Sequence, residues 1–230
     1  MTHRSKRMKA IDTMVVPGKI YKLEEALEIL KKCPPLKFDQ SVDVSLKIGV
    51  DPKKSEQMVR GTVSLPHGTG KKEVIIVFAK GEKAKEALAA GADYAGADEL
   101  LEKVKEGWTD FTAVVSTPEM MREVGKLGKV LGPKGLMPTP KAGTVTNDVA
   151  KAIQELKAGK IEFKMDKLGL INNAVGKISF DVKSLEENIK TFFQALVRSR
   201  PASAKGSFVR NFVLTTTMGP GLKIDASPLA

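Results

Sequence analysis

The chain is poor in the side chains that most enzymes use for chemistry. Its 230 residues include one cysteine and two histidines. With Cys33 alone, no intrachain disulfide can form, and a reducing cytoplasm is the expected compartment. Pro34-Pro35 follows directly, so Cys33 reads as a small residue at a helix exit. One Cys with the distant His3 and His67 does not make a zinc site, and no metal is expected. There is no Gly-x-Ser-x-Gly elbow and no paired acid, His or Cys constellation, so no catalytic residue is assigned. Aromatics make up only 5%, which leaves few platforms for stacking bare bases. No window approaches the roughly 18 apolar residues of a membrane span, and a membrane partner is not expected. The start, Thr2-His3-Arg4-Ser5-Lys6-Arg7-Met8-Lys9, is basic, but no apolar run follows it, which argues against a secretory signal.

What the chain does have is positive charge, unevenly spread. Lys and Arg number 38 against 27 Asp and Glu, a formal net charge of +11. Of these totals, His67 to Gly159 holds 14 and 13, a net of +1, which leaves 24 and 14, a net of +10, for the two flanks. Such a balance favours a polyanion, nucleic acid first. The economical arrangement is a basic domain built from both ends, residues 1–66 and 160–230, around a near-neutral insert, residues 67–159. Each end alone is short for a core of its own. Breaker clusters mark both junctions, at Leu65-Pro66-His67-Gly68-Thr69-Gly70 and Lys157-Ala158-Gly159-Lys160. Gly68, Gly70 and Gly159 are the expected hinge, although glycines also serve ordinary turns.

In the first flank, Leu23, Ala26, Leu27 and Leu30 recur at helical spacing and stop before the prolines. Val42, Val44, Leu46, Ile48 and Val50 then alternate with Ser41, Asp43, Ser45, Lys47 and Gly49, a strand with one buried and one wet face. A second strand is expected over 57–65. In the last flank, strands are expected over 161–165, 174–180 and 207–217. Between them lies a helix with Leu185, Ile189, Phe192, Phe193, Leu196 and Val197 on one face, opened by a Ser184/Glu187 capping box. Pooled, the flanks suit a split β-α-β sheet with helices on one face, its open face or edge loops free for RNA. In the insert, Val74-Ile75-Ile76-Val77-Phe78 reads as a strand covered on both faces. Helices are expected over 82–90 and 98–105, a buried strand over 112–115, a helix opened by Pro118, and a last helix capped by Asn147. Alternating strands and helices imply a small parallel α/β layer, so the fold class is mixed α/β (α+β).

Several motifs carry a functional and a bland reading. Gly68-Thr69-Gly70-Lys71-Lys72 approaches a phosphate loop, but position 65 is Leu and position 72 is Lys, so the nucleotide reading fails and no cofactor is expected. The stretch from Gly125 to Lys141 combines glycines, prolines and recurrent lysines. It reads as a long basic loop, either an RNA contact through Lys126, Lys129, Lys134 and Lys141 or a solvated lid. Thr215-Thr216-Thr217-Met218-Gly219-Pro220 ends a strand. It is either an ordinary turn or a place where hydroxyls, a thioether and close backbone approach meet RNA. Phe38 stands before a strand and is open to a core role. With aromatics scarce, recognition of folded RNA shape fits better than recognition of a bare strand.

Other runs are familiar. Gly125-Lys126-Leu127-Gly128 with Leu131-Gly132-Pro133-Lys134-Gly135-Leu136-Met137-Pro138 resembles the signature of the L-one family of ribosomal proteins, in its bacterial form. Ser203-Ala204-Lys205-Gly206 and Thr217-Met218-Gly219-Pro220 look like that family's C-terminal signature. Phe38-Asp39-Gln40-Ser41-Val42, Asp51-Pro52 and the run from Arg60 to Gly68 also match. The stretch Leu168-Gly169-Leu170-Ile171-Asn172-Asn173 departs from the usual form. The resemblance spans nearly the whole chain. It implies a split first domain with an inserted Rossmann-like three-layer α/β domain, joined by a hinge. It implies no enzymatic activity, a monomer within the ribosome, and binding to the mobile stalk of the large-subunit rRNA. It also implies contact with deacylated tRNA leaving the exit site, and repression of translation through the protein's own operon mRNA. Carried over residue by residue, the rRNA contacts are Lys37, Phe38, Ser41, Lys167, Gly169, Lys205, Thr217, Met218 and Gly219. The rival reading, an α/β enzyme with a nucleotide site in the insert, has only the failed phosphate-loop match behind it.

Overall fold

A computed structural model describes residues 5–52, 54–204 and 206–226. The chain starts with helix α1 (Lys6–Met14), a short strand β1 (Ile20–Tyr21), helix α2 (Leu23–Lys32), and strands β2 (Ser41–Ile48) and β3 (Arg60–Ser64). Then come β4 (Ile75–Phe78), α3 (Glu82–Ala89), β5 (Tyr94–Gly96), α4 (Asp98–Lys105), β6 (Ala113–Ser116), α5 (Met121–Lys126), α6 (Gly128–Leu131) and α7 (Val149–Lys157). The last stretch holds β7 (Lys160–Lys164), β8 (Leu170–Lys177), α8 (Val182–Arg198), β9 (Val209–Thr216) and β10 (Leu222–Ile224). The chain forms two compact units, one of Met1–Gly70 with Ile161–Ala230, the other of Lys71–Lys160.

In the first unit, five strands form a sheet in the order β1-β10-β9-β2-β8. Strand β2 lies inside the sheet, between β9 and the edge strand β8. It pairs antiparallel with β8, Ser41 opposite Lys177 and Lys47 opposite Leu170. It also pairs antiparallel with β9, Val42 opposite Thr216 and Lys47 opposite Asn211. Its alternation follows the pleat, with Val42, Val44, Leu46 and Ile48 buried and Ser41, Asp43, Ser45 and Lys47 on the other face. The buried side chains join one core with Leu23, Ala26, Leu27 and Leu30 of α2 and Leu185, Ile189, Phe192, Phe193 and Leu196 of α8. Phe193 stacks on Phe212 of β9, with ring centroids 5.8 Å apart. Its neighbour Phe192 meets Phe163 of β7 edge-on at 5.7 Å. Helix α8 thus serves the large sheet with one ring and the separate β3–β7 pair with the next. Each buried ring contributes about 2–3 kcal/mol of apolar burial.

In the second unit, β4 is flanked in parallel by β5 and β6. Successive residues of β4 enter opposite cores. Ile76 and Phe78 pack with Leu100, Leu101 and Val104 of α4 and Val124 and Leu131 of α5 and α6. Ile75 and Val77 pack with Ala87 of α3 and Val149, Ala152 and Ile153 of α7. Helices on both faces explain the uninterrupted apolar run.

The structure corrects several details. The stretch from Gly125 to Lys141 is not one irregular loop: α5 ends in it, α6 lies in it, and a 3-10 turn spans Pro140–Ala142. Buried Val124, Leu127 and Leu131 hold these short helices on the core, which offsets the roughly 1 kcal/mol that each glycine costs a helix. The helix expected after Pro118 starts at Met121. Ser184 and Glu187 form no capping box, because α8 starts at Val182 after Asp181. Glu187 faces His67 instead, 2.6 Å from its Nε2. Asn147 does not cap α7, whose N-cap is Asp148; its Oδ1 accepts from Lys83 Nζ at 3.2 Å. Strand β8 occupies Leu170–Lys177 rather than 174–180, and the 57–65 stretch opens with a 3-10 turn, Ser55–Gln57.

The three expected hinge glycines all have positive φ: +66° at Gly68, +71° at Gly70 and +92° at Gly159. Gly159 follows the last turn of α7 and donates its N–H to Leu156 O at 3.0 Å, which is how a glycine ends a helix. The His67-Gly68 segment is tied to α8 by Asn188, a fully buried amide. Asn188 Oδ1 accepts the His67 N–H at 3.1 Å, and its Nδ2 donates to Gly68 O at 3.0 Å and Val175 O at 2.9 Å.

Candidate nucleic-acid interface

Antiparallel pairing of β2 with β9 puts Ser41, the first residue of β2, beside Thr217, the first residue past β9. Thr217 N–H donates to Ser41 O at 3.1 Å. Ser41 N–H donates to Thr217 Oγ1 at 3.0 Å, so the hydroxyl stands in for a ladder carbonyl. The turn continues with every backbone polar group of Met218 occupied. Met218 N–H donates to Oε1 of the buried Gln40 at 3.2 Å, and Met218 O accepts from Arg7 Nη1 at 2.7 Å. Gly219 N–H returns to Thr216 O at 2.9 Å. A Cβ on Gly219 would lie 2.1 Å from Thr216 Oγ1, so close approach selects glycine here.

On β8, across the sheet, Lys177 sends its ammonium to Ser41 Oγ at 3.2 Å and to Asp39 O at 3.4 Å. Asp39 holds the strand's lead-in segment in place, accepting from Ser179 N–H at 3.3 Å and Ser179 Oγ at 2.8 Å. Lys37 and Phe38 sit just before it and are exposed. Phe38 is 53% accessible and Met218 56%, so Phe38 is not a core residue. Lys37, Phe38, Ser41, Thr217, Met218 and Gly219 therefore belong to one cluster at one end of the sheet. Two apolar side chains stand proud of a fixed backbone with Lys37 and Lys177 beside them. Lys177 and Arg7 carry no motif in the sequence, since their partners lie up to 138 and 211 positions away.

Lys167 and Gly169 lie at the opposite end. The β7–β8 turn is folded by Asp166, whose Oδ1 accepts the N–H groups of Leu168 and Leu170, both at 2.8 Å. Gly169 is buried at φ +76° and gives its carbonyl to Ile48 N–H at 2.9 Å, so its place is conformational. Lys47 Nζ donates to Leu168 O at 2.5 Å. Lys167 and Leu168 are left exposed at the tip. Strand β2, Ser41–Ile48, separates the two groups by about 23 Å at ~3.3 Å per residue. Lys205 lies outside the described residues.

In the other unit, Lys126 pairs with Glu123 at 2.7 Å, and that hydrogen bond holds the Glu123 carboxyl below its ordinary value. Lys134 Nζ donates to Thr109 Oγ1. Lys129 and Lys141 are exposed and make no ion pair among the described residues. Burial pushes the Cys33 thiol up from its ordinary value, with the nearby Arg7 charge pulling the other way, so it stays protonated at neutral pH. No group of three or more His, Cys, Asp or Glu is placed to hold a metal ion among the described residues, nor is any described helix long and apolar enough to cross a membrane.

Residues 29–220 match the model of the ribosomal protein L1p/L10e family. The large ribosomal subunit protein uL1 of Protochlamydia amoebophila (strain UWE25) is 68% identical over 225 residues, covering 98% of this chain and 95% of that protein. The protein of that name from Chlamydia abortus (strain DSM 27085 / S26/3) is 58% identical over 229 residues, covering 100% of this chain and 99% of its own length. That from Chlamydia trachomatis serovar L2b (strain UCH-1/proctitis) is 57% identical over the same span. The family model covers most of the sheet-and-helix framework and the turn at Thr217, and relatives match it from end to end: the chain belongs to the ribosomal protein L1p/L10e family.

Proposed function

We propose that this chain is a structural constituent of the large ribosomal subunit that grips a folded rRNA stalk through the sheet of its first unit. Family membership makes it a ribosomal protein and not an enzyme, working on the ribosome in the cytoplasm. The observation that carries the reading is the Thr217-Met218-Gly219 turn. Its three N–H groups and the Met218 carbonyl are engaged within the protein, while Met218 and Phe38 are exposed. Thioether and ring can pack on ribose or base, and lysines position phosphates. The second group, at Lys167, stands about 23 Å away along β2. That spacing suits a structured RNA bridging both ends of the sheet rather than one base or one phosphate.

Two finer activities complete the proposal. The grip on the stalk places the protein where deacylated tRNA leaves the exit site, and it assists that release as a monomer. An operon mRNA that copies the stalk's shape would occupy the same cluster, so free protein represses its own translation until rRNA competes it away. Lys129 and Lys141, exposed and outside the contacts with Glu123 and Thr109, are among the cations of the second unit available for a tRNA contact, with the residues around Gly68, Gly70 and Gly159 as the proposed hinge.

The test is binding of the full chain to a fragment of the large-subunit rRNA stalk across a salt series. Met218→Ala should weaken binding about tenfold or more with an unchanged salt slope, through lost apolar contact. Lys167→Ala should lower the log–log slope by about one. Wild-type behaviour of both folded variants would remove this surface from the RNA.

A further inference from the structure

We propose that Arg7 is a positioning residue for RNA recognition, a clasp that holds the two loops carrying Met218 and Phe38 in one arrangement. The inference rests on the interface described under the proposed function. It adds a residue from the N-terminal helix.

Arg7 lies in the first turn of α1, a helix fixed independently of the RNA surface. Ser5 Oγ accepts the Met8 N–H at 3.3 Å, Ile11 is buried, and beyond the helix Val16 N–H donates to Tyr21 OH at 2.9 Å. From this anchored base the guanidinium forks. Nη1 donates to Met218 O at 2.7 Å, and Nε donates to Pro34 O at 3.2 Å. The first carbonyl belongs to the turn that exposes Met218. The second begins the short segment that leads through Lys37 and Phe38 into β2. One planar cation thus ties together positions 27 and 211 residues away from it.

The remaining nitrogen, Nη2, is buried. With that nitrogen covered and the other two on carbonyls, the guanidinium acts through the protein and not on a phosphate. A lysine would keep the charge but present one compact ammonium, which cannot fork to two carbonyls in a plane. Charge and geometry can therefore be separated by substitution.

The experiment uses the full chain and a stalk fragment of the large-subunit rRNA. Arg7→Lys should weaken binding about tenfold, the size of one charge-assisted hydrogen bond lost from a preorganised turn, with an unchanged salt slope. In a Met218→Ala background the same change should cost only about threefold, because one of the two side chains it positions is gone. Melting curves check folding. If Arg7→Lys fails to fold, Arg7→Gln, which keeps amide donors without charge, carries the same expectations. Wild-type affinity in a folded Arg7 variant, or full additivity with Met218→Ala, overturns the clasp. A slope lowered by about one in Arg7→Gln overturns it too, by placing the charge on a phosphate. Wild-type binding by Met218→Ala alone would instead sink the interface reading, a separate failure.

Discussion

Gly219→Ala tests whether the turn proposed for RNA recognition is held by close packing inside the protein. An added Cβ would lie 2.1 Å from Thr216 Oγ1 and 3.3 Å from Thr216 Cβ. The first distance is roughly 1.4 Å short of the ~3.5 Å at which such atoms meet comfortably. Thr216 cannot swing aside cheaply, because it is buried and branched at Cβ. The turn must then move, breaking the Gly219–Thr216 bond and disturbing the anchors on Met218. Loss of one such anchor costs about 1–3 kcal/mol, or about 5- to 150-fold in affinity. Thr216→Ala removes the clashing oxygen and leaves only the 3.3 Å contact, which a shift of a few tenths of an ångström relieves. Alone, Thr216→Ala should be nearly neutral. The lost methyl costs about 1 kcal/mol, while the buried hydroxyl that goes with it has no partner among the described residues. The double variant should regain binding to within about threefold of the wild type. Filter binding to the rRNA fragment, with melting curves alongside, reads all four proteins. If the double variant melts normally yet stays weak, the Cβ is blocking RNA itself, and the internal-packing argument is wrong.

Thr217 has a second use, since its hydroxyl already accepts the Ser41 N–H. Thr217→Ser should preserve folding and binding, while Thr217→Val should cost about 0.5–1.5 kcal/mol of stability in a denaturant titration; equal stability of the two would show that the hydroxyl does not close the ladder. Asn188→Leu should lower stability by about 1–3 kcal/mol by leaving Gly68 O, Val175 O and the His67 N–H unpaired. It should also speed amide exchange at His67, and unchanged exchange there would refute the tie between α8 and that segment.

Much of the fold was legible where burial imposes a period. The alternation from Val42 to Ile48 could be read because one face of β2 is covered, and the run from Ile75 to Phe78 because both faces of β4 are. The stripe of α8 was legible but its start was not, because Glu187 is claimed by His67 from 120 positions away. Strands β1 and β10, two and three residues long, carry too few side chains for any period. The glycines between Gly125 and Gly135 spoke for a loop, and packing of Val124, Leu127 and Leu131 overrode them. At the interface, the exposed Phe38 and Met218 could be named from motifs. Lys177 and Arg7 could not, because only strand register and helix docking bring them there.

The place of β2 between β8 and β9 has a consequence for synthesis. Both strands that flank it, β8 and β9, are translated long after it, since Ser41 pairs with Lys177 and Val42 with Thr216. Until then β2 has two open edges, and its apolar face has no Phe193 or Leu196 to cover it. The second unit, contiguous at Lys71–Lys160, emerges complete and can fold first. Ser41 and Thr217 meet only once the 176 positions between them have been translated. A chain cut short before Thr217 therefore lacks the turn proposed here to engage RNA.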